Sequence, residues 1–350
     1  MKSTLHIALL VIAATTLPAG AVQKLYVLSS AGNDVTVVDV ATNKILGTIE
    51  VGDRPHGIAA PRSHDVLYVA TEFDNGLTVI DPVRDVVVKK YSIFGSRPNE
   101  IDVTSDGRLV YLPILGHGVY EVFDTQKEQI VARIATNGMP HNVAISPDDR
   151  FAYLAPLGSQ GAAPEALSER GLPTTPNDKI YVVDVRTHTT VATISTGDAP
   201  RPIAIRPDGG YLYANVDGLQ GFLVLDLKKR KQVARVAYEL TAEEKATPSR
   251  SHGIIATPDS KEVWTSDVNL GLVFVFDVTV HPPKQVARID NEASVYWMTI
   301  TPDGKTLYIA SATKDVVNAY DIASRTKTHS IEIGKGKSPK RILVLDVPTT

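Results

Sequence analysis

Histidine and arginine recur at fixed places in a short motif that repeats along this 350-residue chain. The fullest copy, at 52–58, reads GDRPHGI, and the other copies keep its proline or another residue in the same place. The residue after this proline-type position is, in chain order, His56, Asn99, His141, Arg201, His252, Tyr296 and Lys340. Arginine immediately precedes the proline-type position in three copies, as Arg54, Arg97 and Arg250. The motif therefore gathers cations and imidazoles at one repeated position.

Two chemistries use these residue types. Three neutral imidazoles around one ion make a copper, zinc or iron site, with zinc–nitrogen distances of about 2.0–2.1 Å. Guanidinium groups instead grip carboxylates or phosphates bidentately. A porphyrin joins both chemistries, because its propionates suit arginine and its iron suits histidine. The sequence leaves a third alternative open, in which these residues form a solvated rim and the Arg-Pro pairs only set the turn geometry.

We accordingly predict two sets of site residues. The set for an anionic ligand or a cofactor is Arg54, Arg97, Arg201, Arg250, Tyr296 and Lys340. The set for a metal is His56, His141 and His252, with copper, zinc or haem iron as the candidates. The chain has no nucleophile elbow, phosphate loop or HExxH motif, and Glu72 and Asp267 resemble ordinary loop carboxylates. The sequence therefore identifies no catalytic residue.

The spacing of the motif predicts a repeat protein. The proline-type position falls at 55, 98, 140, 200, 251, 295 and 339, so most copies lie 42–44 residues apart. Each repeat contains four short runs rich in Val, Ile, Tyr and Thr, bounded by turn residues, as is typical of strands. The chain after residue 21 shows no apolar period of a helix. Four strands in each repeat of this length favour the blades of a β-propeller.

Turn residues separate the four strands, which we label A to D from the motif onward. Corners such as TPDG at 301–304 suit a tight turn between strands A and B. An aspartate follows strand C in every repeat, at 39, 81, 124, 184, 226, 277 and 321. Because this aspartate recurs in every repeat, we interpret it as a cap of the C–D turn and not as a catalytic residue.

The two ends of the chain complement each other. The first strand after the leader, at 24–29 (KLYVLS), reads as a strand B without its strand A. The last apolar run, at 339–347 (PKRILVLDV), reads as a strand A. We therefore predict an all-β fold: a seven-bladed β-propeller with four antiparallel strands per blade, in which the C-terminal strand closes blade 1.

Several stretches resemble the repeat of the YVTN-type bacterial β-propellers. They are 25–27 (LYV), 33–39 (NDVTVVD), 42–44 (TNK), 48–52 (TIEVG) and 301–310 (TPDGKTLYIA). The resemblance covers nearly all of the chain after the leader, and it implies the fold but no activity. YVTN-type propellers are in turn similar to the haem-carrying propeller of bacterial haem nitrite reductases and to periplasmic proteins that mature that haem. This second similarity implies an oxidoreductase or a haem-maturation protein, with a motif histidine as ligand or base.

Both long insertions fall on one face of the predicted propeller. The B–C connection of blade 4 spans 156–178, and the D–A connection after blade 5 spans 238–250, where 241–245 has the pattern of one helical turn. The repeated motif lies on the same face, at the opening of the central channel. Loops longer than about a dozen residues are commonly functional. We therefore expect this face to bind the ligand.

The remaining features concern the compartment and the partners. Residues 1–21 combine Lys2, an apolar stretch and a small-residue cleavage site, which predicts a signal peptide and a mature chain from Val22 to the end at 350. The chain has no cysteine and a net charge of -3, so we expect no disulfide, thiolate site or nucleic-acid partner. No later run is long enough to span a membrane. We expect an exported, soluble, periplasmic monomer.

The sequence favours a binding protein over an enzyme. Its expected partner is a small anionic ligand, a cofactor, a metal or another protein at the basic channel opening. The alternative is the oxidoreductase or haem-maturation protein that the resemblance implies. A lactonase or lyase of propeller type ranks last, because it needs a carboxylate-rich metal site and the residues here are basic.

Overall fold

A computed structural model describes residues 21–93, 95–158, 177–216, 218–291 and 294–348. The predicted signal peptide lies almost entirely outside these residues, as does most of the predicted insertion at 156–178. The described chain forms seven four-stranded antiparallel sheets, which are the blades of a propeller. None of the helices in this part of the chain is long and apolar enough to cross a membrane.

The strands follow the order that the sequence predicts, from A at the channel to D at the rim. Blade 1 consists of β28 (Pro339–Pro348), β1 (Ala21–Ser29), β2 (Asp34–Asp39) and β3 (Lys44–Glu50). Blade 2 consists of β4 (Pro55–Ala59), β5 (Leu67–Thr71), β6 (Gly76–Asp81) and β7 (Val86–Ser92). Blade 3 consists of β8 (Asp102–Val103), β9 (Leu109–Ile114), β10 (Val119–Asp124) and β11 (Gln129–Ala135). Blade 4 consists of β12 (Met139–Ile145), β13 (Phe151–Leu157), β14 (Lys179–Asp184) and β15 (Thr189–Ser195). Blade 5 consists of β16 (Pro200–Ile205), β17 (Tyr211–Val216), β18 (Gly221–Asp226) and β19 (Lys231–Ala237). Blade 6 consists of β20 (Ser251–Ala256), β21 (Glu262–Asp267), β22 (Leu272–Asp277) and β23 (Lys284–Asp290). Blade 7 consists of β24 (Met298–Ile300), β25 (Thr306–Ser311), β26 (Val316–Asp321) and β27 (Thr326–Glu332).

The last strand closes the ring, as the sequence predicts. Strand β28 pairs antiparallel with β1, from Ala21 opposite Pro348 to Val27 opposite Ile342. Blade 1 therefore takes its inner strand from the C-terminal end and its other three strands from the first part of the described chain. With this closure blade 1 has four strands like the other blades, and its two edge strands are the A strand at the channel and the D strand at the rim.

The hydrophobic core lies between neighbouring blades. Leu77 and Val79 of blade 2, for example, pack in one cluster with Val110 and Leu112 of blade 3. Strands B and C are buried on both faces because each lies between two strands and two blades. In strand D of blade 2, β7, only Val87 and Tyr91 are half-buried and the other residues are exposed, because this strand borders solvent. Burial therefore decreases from the middle strands of a blade to its outer strand.

The aspartate after strand C caps its turn in all seven blades. In blade 1 the Asp39 carboxylate accepts a hydrogen bond from the backbone N–H of Thr42, and in blade 7 Asp321 does the same for Ser324. The corresponding contacts in the other blades involve Asp81, Asp124, Asp184, Asp226 and Asp277. The structural interpretation of these residues is confirmed.

The D–A connection after blade 5 contains one helical turn, α1 (Ala242–Lys245), as the sequence predicts. Thr241 caps this turn, since its side chain accepts from the N–H of Glu244 while the Glu244 carboxylate accepts from the N–H of Thr241. Glu244 also pairs with Arg288 at 2.6 Å. These contacts hold the connection against blade 6.

Candidate anion-binding site at the channel mouth

Seven inner strands surround the central channel, each next to the inner strand of the following blade. We call the channel opening on the side of the D–A and B–C connections the mouth. Five of the seven motif positions belong to the inner strands, at Pro55, Pro140, Pro200, Ser251 and Pro339. In blades 3 and 7 the inner strand is short, and Pro98 and Val295 precede it. The motif residues thus meet at the mouth although they are distant in sequence.

Four cations of the mouth have no ion pair. Arg54, Arg97, Arg250 and Lys340 form no salt bridge with any residue that the structure describes. Cations away from the mouth do form such pairs, for example Lys24 with Asp85 at 2.7 Å. An arginine or lysine whose charge is not matched within the protein is available to an anion from outside.

Two of these cations share one aromatic ring. The Arg250 guanidinium carbon lies 5.6 Å from the ring centroid of Tyr296, and the Lys340 Nζ lies 5.4 Å from it. Tyr296 is 9% exposed, so the ring is a fixed support. Burial, and then the positive charges of Arg250 and Arg54, hold the pKa of Lys340 below its ordinary value, with Glu72 opposing them. Like charges held this close favour an anion between them.

The other two cations, Arg54 and Arg97, lie in the connections that lead into blades 2 and 3. The Arg54 guanidinium carbon is 4.7 Å from the ring centroid of Phe73, whose ring is 52% exposed at the mouth. The Nε of Arg97 is buried and has no hydrogen-bond partner among the described residues. A buried donor without a partner costs free energy until a ligand or water accepts from it.

The three histidines are neutral at pH 7. Burial, and then the charge of Arg201, lowers the pKa of His141 to about 3. Burial also holds the pKa of His56 well below its ordinary value, followed by the charge of Arg341. The pKa of His252 is held well below its ordinary value by burial and then by Arg201. All three imidazoles therefore serve the mouth as neutral hydrogen-bonding groups.

The positive charge of Arg341 contributes to the lowered pKa of all three imidazoles. The Nδ1 of His141 is 2.6 Å from the side-chain oxygen of Asn142, whereas the Nδ1 of His252 is buried and has no hydrogen-bond partner among the described residues. Among the described residues, no group of three or more His, Cys, Asp or Glu is arranged to hold a metal ion. The shared metal site therefore stays a prediction.

Glu72 is an acidic residue of the mouth that the sequence did not distinguish. It is 8% exposed and accepts a hydrogen bond from Asn99 Nδ2 at 3.3 Å. Its Oε1 also lies 3.7 Å from His56 Nδ1. Burial raises the pKa of Glu72, against the charges of Arg97 and Lys340. The only sequence signal for Glu72 is its place at the end of a B strand, and many polar residues share such a place, so the sequence does not single it out.

A buried ion pair links blades 1 and 3. Arg341 of blade 1 makes a two-pronged contact with the carboxylate of Glu100 of blade 3, so the pair passes blade 2. The guanidinium carbon also lies 3.2 Å from the ring centroid of Trp297 in blade 7. Arg341 is 4% exposed. These three residues, which we call the floor, join blades 1, 3 and 7, and the sequence did not predict their contact because Glu100 and Arg341 are 241 positions apart.

The comparisons with known proteins agree on the fold. No family model matches the chain. The Lp49 antigen of Leptospira interrogans is 23% identical over 187 residues, which is 51% of this chain and 40% of that protein. The seven-bladed beta-propeller protein Rv1057 of Mycobacterium tuberculosis is 30% identical over 125 residues, 34% of this chain and 26% of that protein. The matches thus cover less than half of each curated relative.

Solved structures with the same fold have diverse functions. The Kuenenia stuttgartiensis hydrazine synthase superposes with a TM-score of 0.65 at 21% identity, over 84% of this chain and 86% of that one. The periplasmic gluconolactonase PpgL of Pseudomonas aeruginosa has a TM-score of 0.75 at 16% identity, over 93% and 100%. The dihydro-heme d1 dehydrogenase NirN in complex with DHE has a TM-score of 0.63 at 16% identity, over 89% and 64%. At these identities the likeness shows the fold alone.

Proposed function

We propose that this chain binds a small carboxylate-bearing anion in the mouth. The observation that carries the proposal is the set of four cations, Arg54, Arg97, Arg250 and Lys340, without a salt bridge to any described acid. The aromatic rings of Phe73 and Tyr296 hold three of them at the mouth. Arg250 and Lys340, which lie against the buried ring of Tyr296, are already placed for an anion, so little side-chain entropy is lost on binding.

The neutral histidines support the same function. Three imidazoles without charge leave the mouth able to form hydrogen bonds in either direction. The floor joins Arg341 of blade 1 to Glu100 of blade 3, and we expect it to limit how deep a ligand enters. We then expect the ligand to enter from the face of the D–A and B–C connections. A concave site with a few convergent polar groups is the usual form of a small-molecule pocket.

The test uses succinate as the probe anion, measured by isothermal titration at low ionic strength. We expect Arg97→Gln and Arg250→Gln each to weaken succinate binding by roughly 10-fold to 100-fold, since hydrogen bonds to charged groups contribute about 1.5–3 kcal/mol. Arg186→Gln is the matched control, because Arg186 is exposed in a C–D turn on the opposite face. Succinate binding that is absent, or unchanged in both mouth variants, contradicts the proposal.

A tetrapyrrole is the second candidate ligand. The fold likeness to NirN in complex with DHE and the unpartnered Nδ1 of His252 favour it. Arginines for carboxylates, a neutral histidine for iron and Tyr296 for stacking are the residues that such a group needs, so the mouth fits it. We expect a Soret band in protein taken from its native compartment or reconstituted with haem, and its loss in His252→Ala. A colourless protein that does not take up haem excludes this candidate.

The proposal extends to the compartment and to the repeat type. We propose that 1–21 is removed on export to the periplasm and that the repeats are of the YVTN type, as TPDGKTLYIA at 301–310 supports. N-terminal sequencing of the exported protein tests the first point, since a start other than Val22 contradicts it. A binding role requires no catalytic residue, so an oxidoreductase and a protein-binding scaffold remain the alternatives.

A further inference from the structure

We propose that the ligand of the mouth is a hydroxylated carboxylate, that is, an anion whose carbon chain carries at least one hydroxyl group. The inference rests on the proposed function, because it names the chemical class that the same site selects. It comes from hydrogen-bond acceptors that lie among the cations. A site for a plain anion needs donors only, and this mouth contains more.

Glu72 is the first of these acceptors. Its carboxylate is buried, and Asn99 Nδ2 at 3.3 Å is its one hydrogen-bond partner among the described residues. His56 Nδ1, at 3.7 Å, is beyond hydrogen-bond distance. Arg54, Arg97 and Lys340 act on Glu72 by charge without touching it. A carboxylate accepts about four hydrogen bonds, so Glu72 has capacity left for a donor from a ligand.

Asn99 supplies the second acceptor. It is 3% exposed, and its amide nitrogen must face Glu72 because a carboxylate only accepts. The amide oxygen then points elsewhere, and it is buried without a partner within the described residues. The Nε of Arg97, two residues earlier in the same motif, is likewise buried without a partner. This copy of the motif therefore presents one donor and one acceptor that have no partner among the described residues.

A hydroxyl next to a carboxylate satisfies both groups. The carboxylate accepts from Arg97, and the hydroxyl donates to Asn99 or Glu72. An aliphatic carboxylate without a hydroxyl has no donor, so it leaves the buried Asn99 oxygen unmatched. An ammonium group suits Glu72 but is repelled by the four cations. A hydroxyl on an anionic ligand pairs with the Asn99 oxygen and is not repelled by the cations. Such a site is selective because a ligand without the hydroxyl leaves a buried polar group unpaired, which costs binding free energy.

The experiment compares ligands that differ only in hydroxyl groups. Isothermal titration is run with tartrate against succinate and with glycerate against propionate. We expect the hydroxylated member of each pair to bind about tenfold tighter, as one or two additional hydrogen bonds imply. Asn99→Leu and Glu72→Gln should each reduce this ratio while the protein still binds succinate. Arg97→Gln should instead weaken both members of a pair.

Gln126→Leu is the matched control, because it removes an exposed amide from a C–D turn on the opposite face and should leave the ratio unchanged. Thermal unfolding is measured for each variant, and Glu72→Gln decides the result if Asn99→Leu does not fold. Equal affinities within both pairs, with loss in Arg97→Gln, overturn the inference and leave the proposed function standing. A hydroxyl preference that persists in Asn99→Leu and Glu72→Gln also overturns it. If none of the four ligands binds, the proposed function fails as well.

Discussion

Replacing Arg341 by methionine should destabilise the whole propeller through the floor of the mouth. Arg341 is 4% exposed, contacts both oxygens of Glu100 and lies against Trp297. Methionine keeps much of the apolar stem but leaves the Glu100 carboxylate buried without its cation. Removing one partner of a buried ion pair costs about 3–5 kcal/mol, so we expect Arg341→Met to lose about this much free energy of unfolding.

The pH dependence of this loss identifies its cause. Burial raises the pKa of Glu100 to about 7, although Arg341 opposes the rise. A carboxyl with a raised pKa binds its proton more tightly in the folded state, so stability falls as pH rises from the unfolded value towards the folded value. In the parent protein this fall ends near pH 7, whereas in Arg341→Met, where the opposing charge is gone, it continues to higher pH. The difference between the two proteins should therefore be larger at pH 8 than at pH 5.

Urea unfolding followed by circular dichroism at both pH values measures these differences. The double variant Glu100→Gln/Arg341→Met removes both charges and should recover most of the loss, because no bare charge remains. Arg186→Met, on the opposite face, should stay within about 0.5 kcal/mol of the parent. An Arg341→Met protein as stable as the parent, or equally destabilised at pH 5 and pH 8, refutes this account of the floor.

Two further predictions concern the inner strands. Gly57→Ala places a Cβ 2.2 Å from the backbone oxygen of Asn99, so we expect a loss of about 1–3 kcal/mol in urea unfolding, whereas Gly47→Ala, with nothing within 4 Å, should cost nothing; equal effects contradict this close approach. A chain that ends at 338 lacks β28, and we expect it to lose cooperative thermal unfolding because blade 1 loses its inner strand; a melting temperature equal to that of the parent refutes the closure.

The strand pattern and the ring closure could be predicted because their signals are local. Alternating runs predict strands, and the aspartates after strand C lie within three residues of the N–H groups they accept from. The motif also predicted the cations of the mouth. Arg54, Arg97 and Arg250 precede its proline-type position, and Lys340 follows that position. Whether those cations had acidic partners could not be predicted, because a salt bridge depends on side chains from other blades.

The sequence by itself determined the seven four-stranded repeats, the closing strand and the positions at which cations and histidines recur, because each rests on residue types within a few positions of one another. Only the tertiary structure decided that Glu72 enters the mouth, that the Asn99 amide oxygen is buried with no partner among the described residues, and that Arg341 of blade 1 reaches Glu100 of blade 3. Glu100 and Arg341 are 241 residues apart and resemble many other charged residues of the chain. Closing the ring brings them within reach, and burial, which no local pattern encodes, gives their charges their effect.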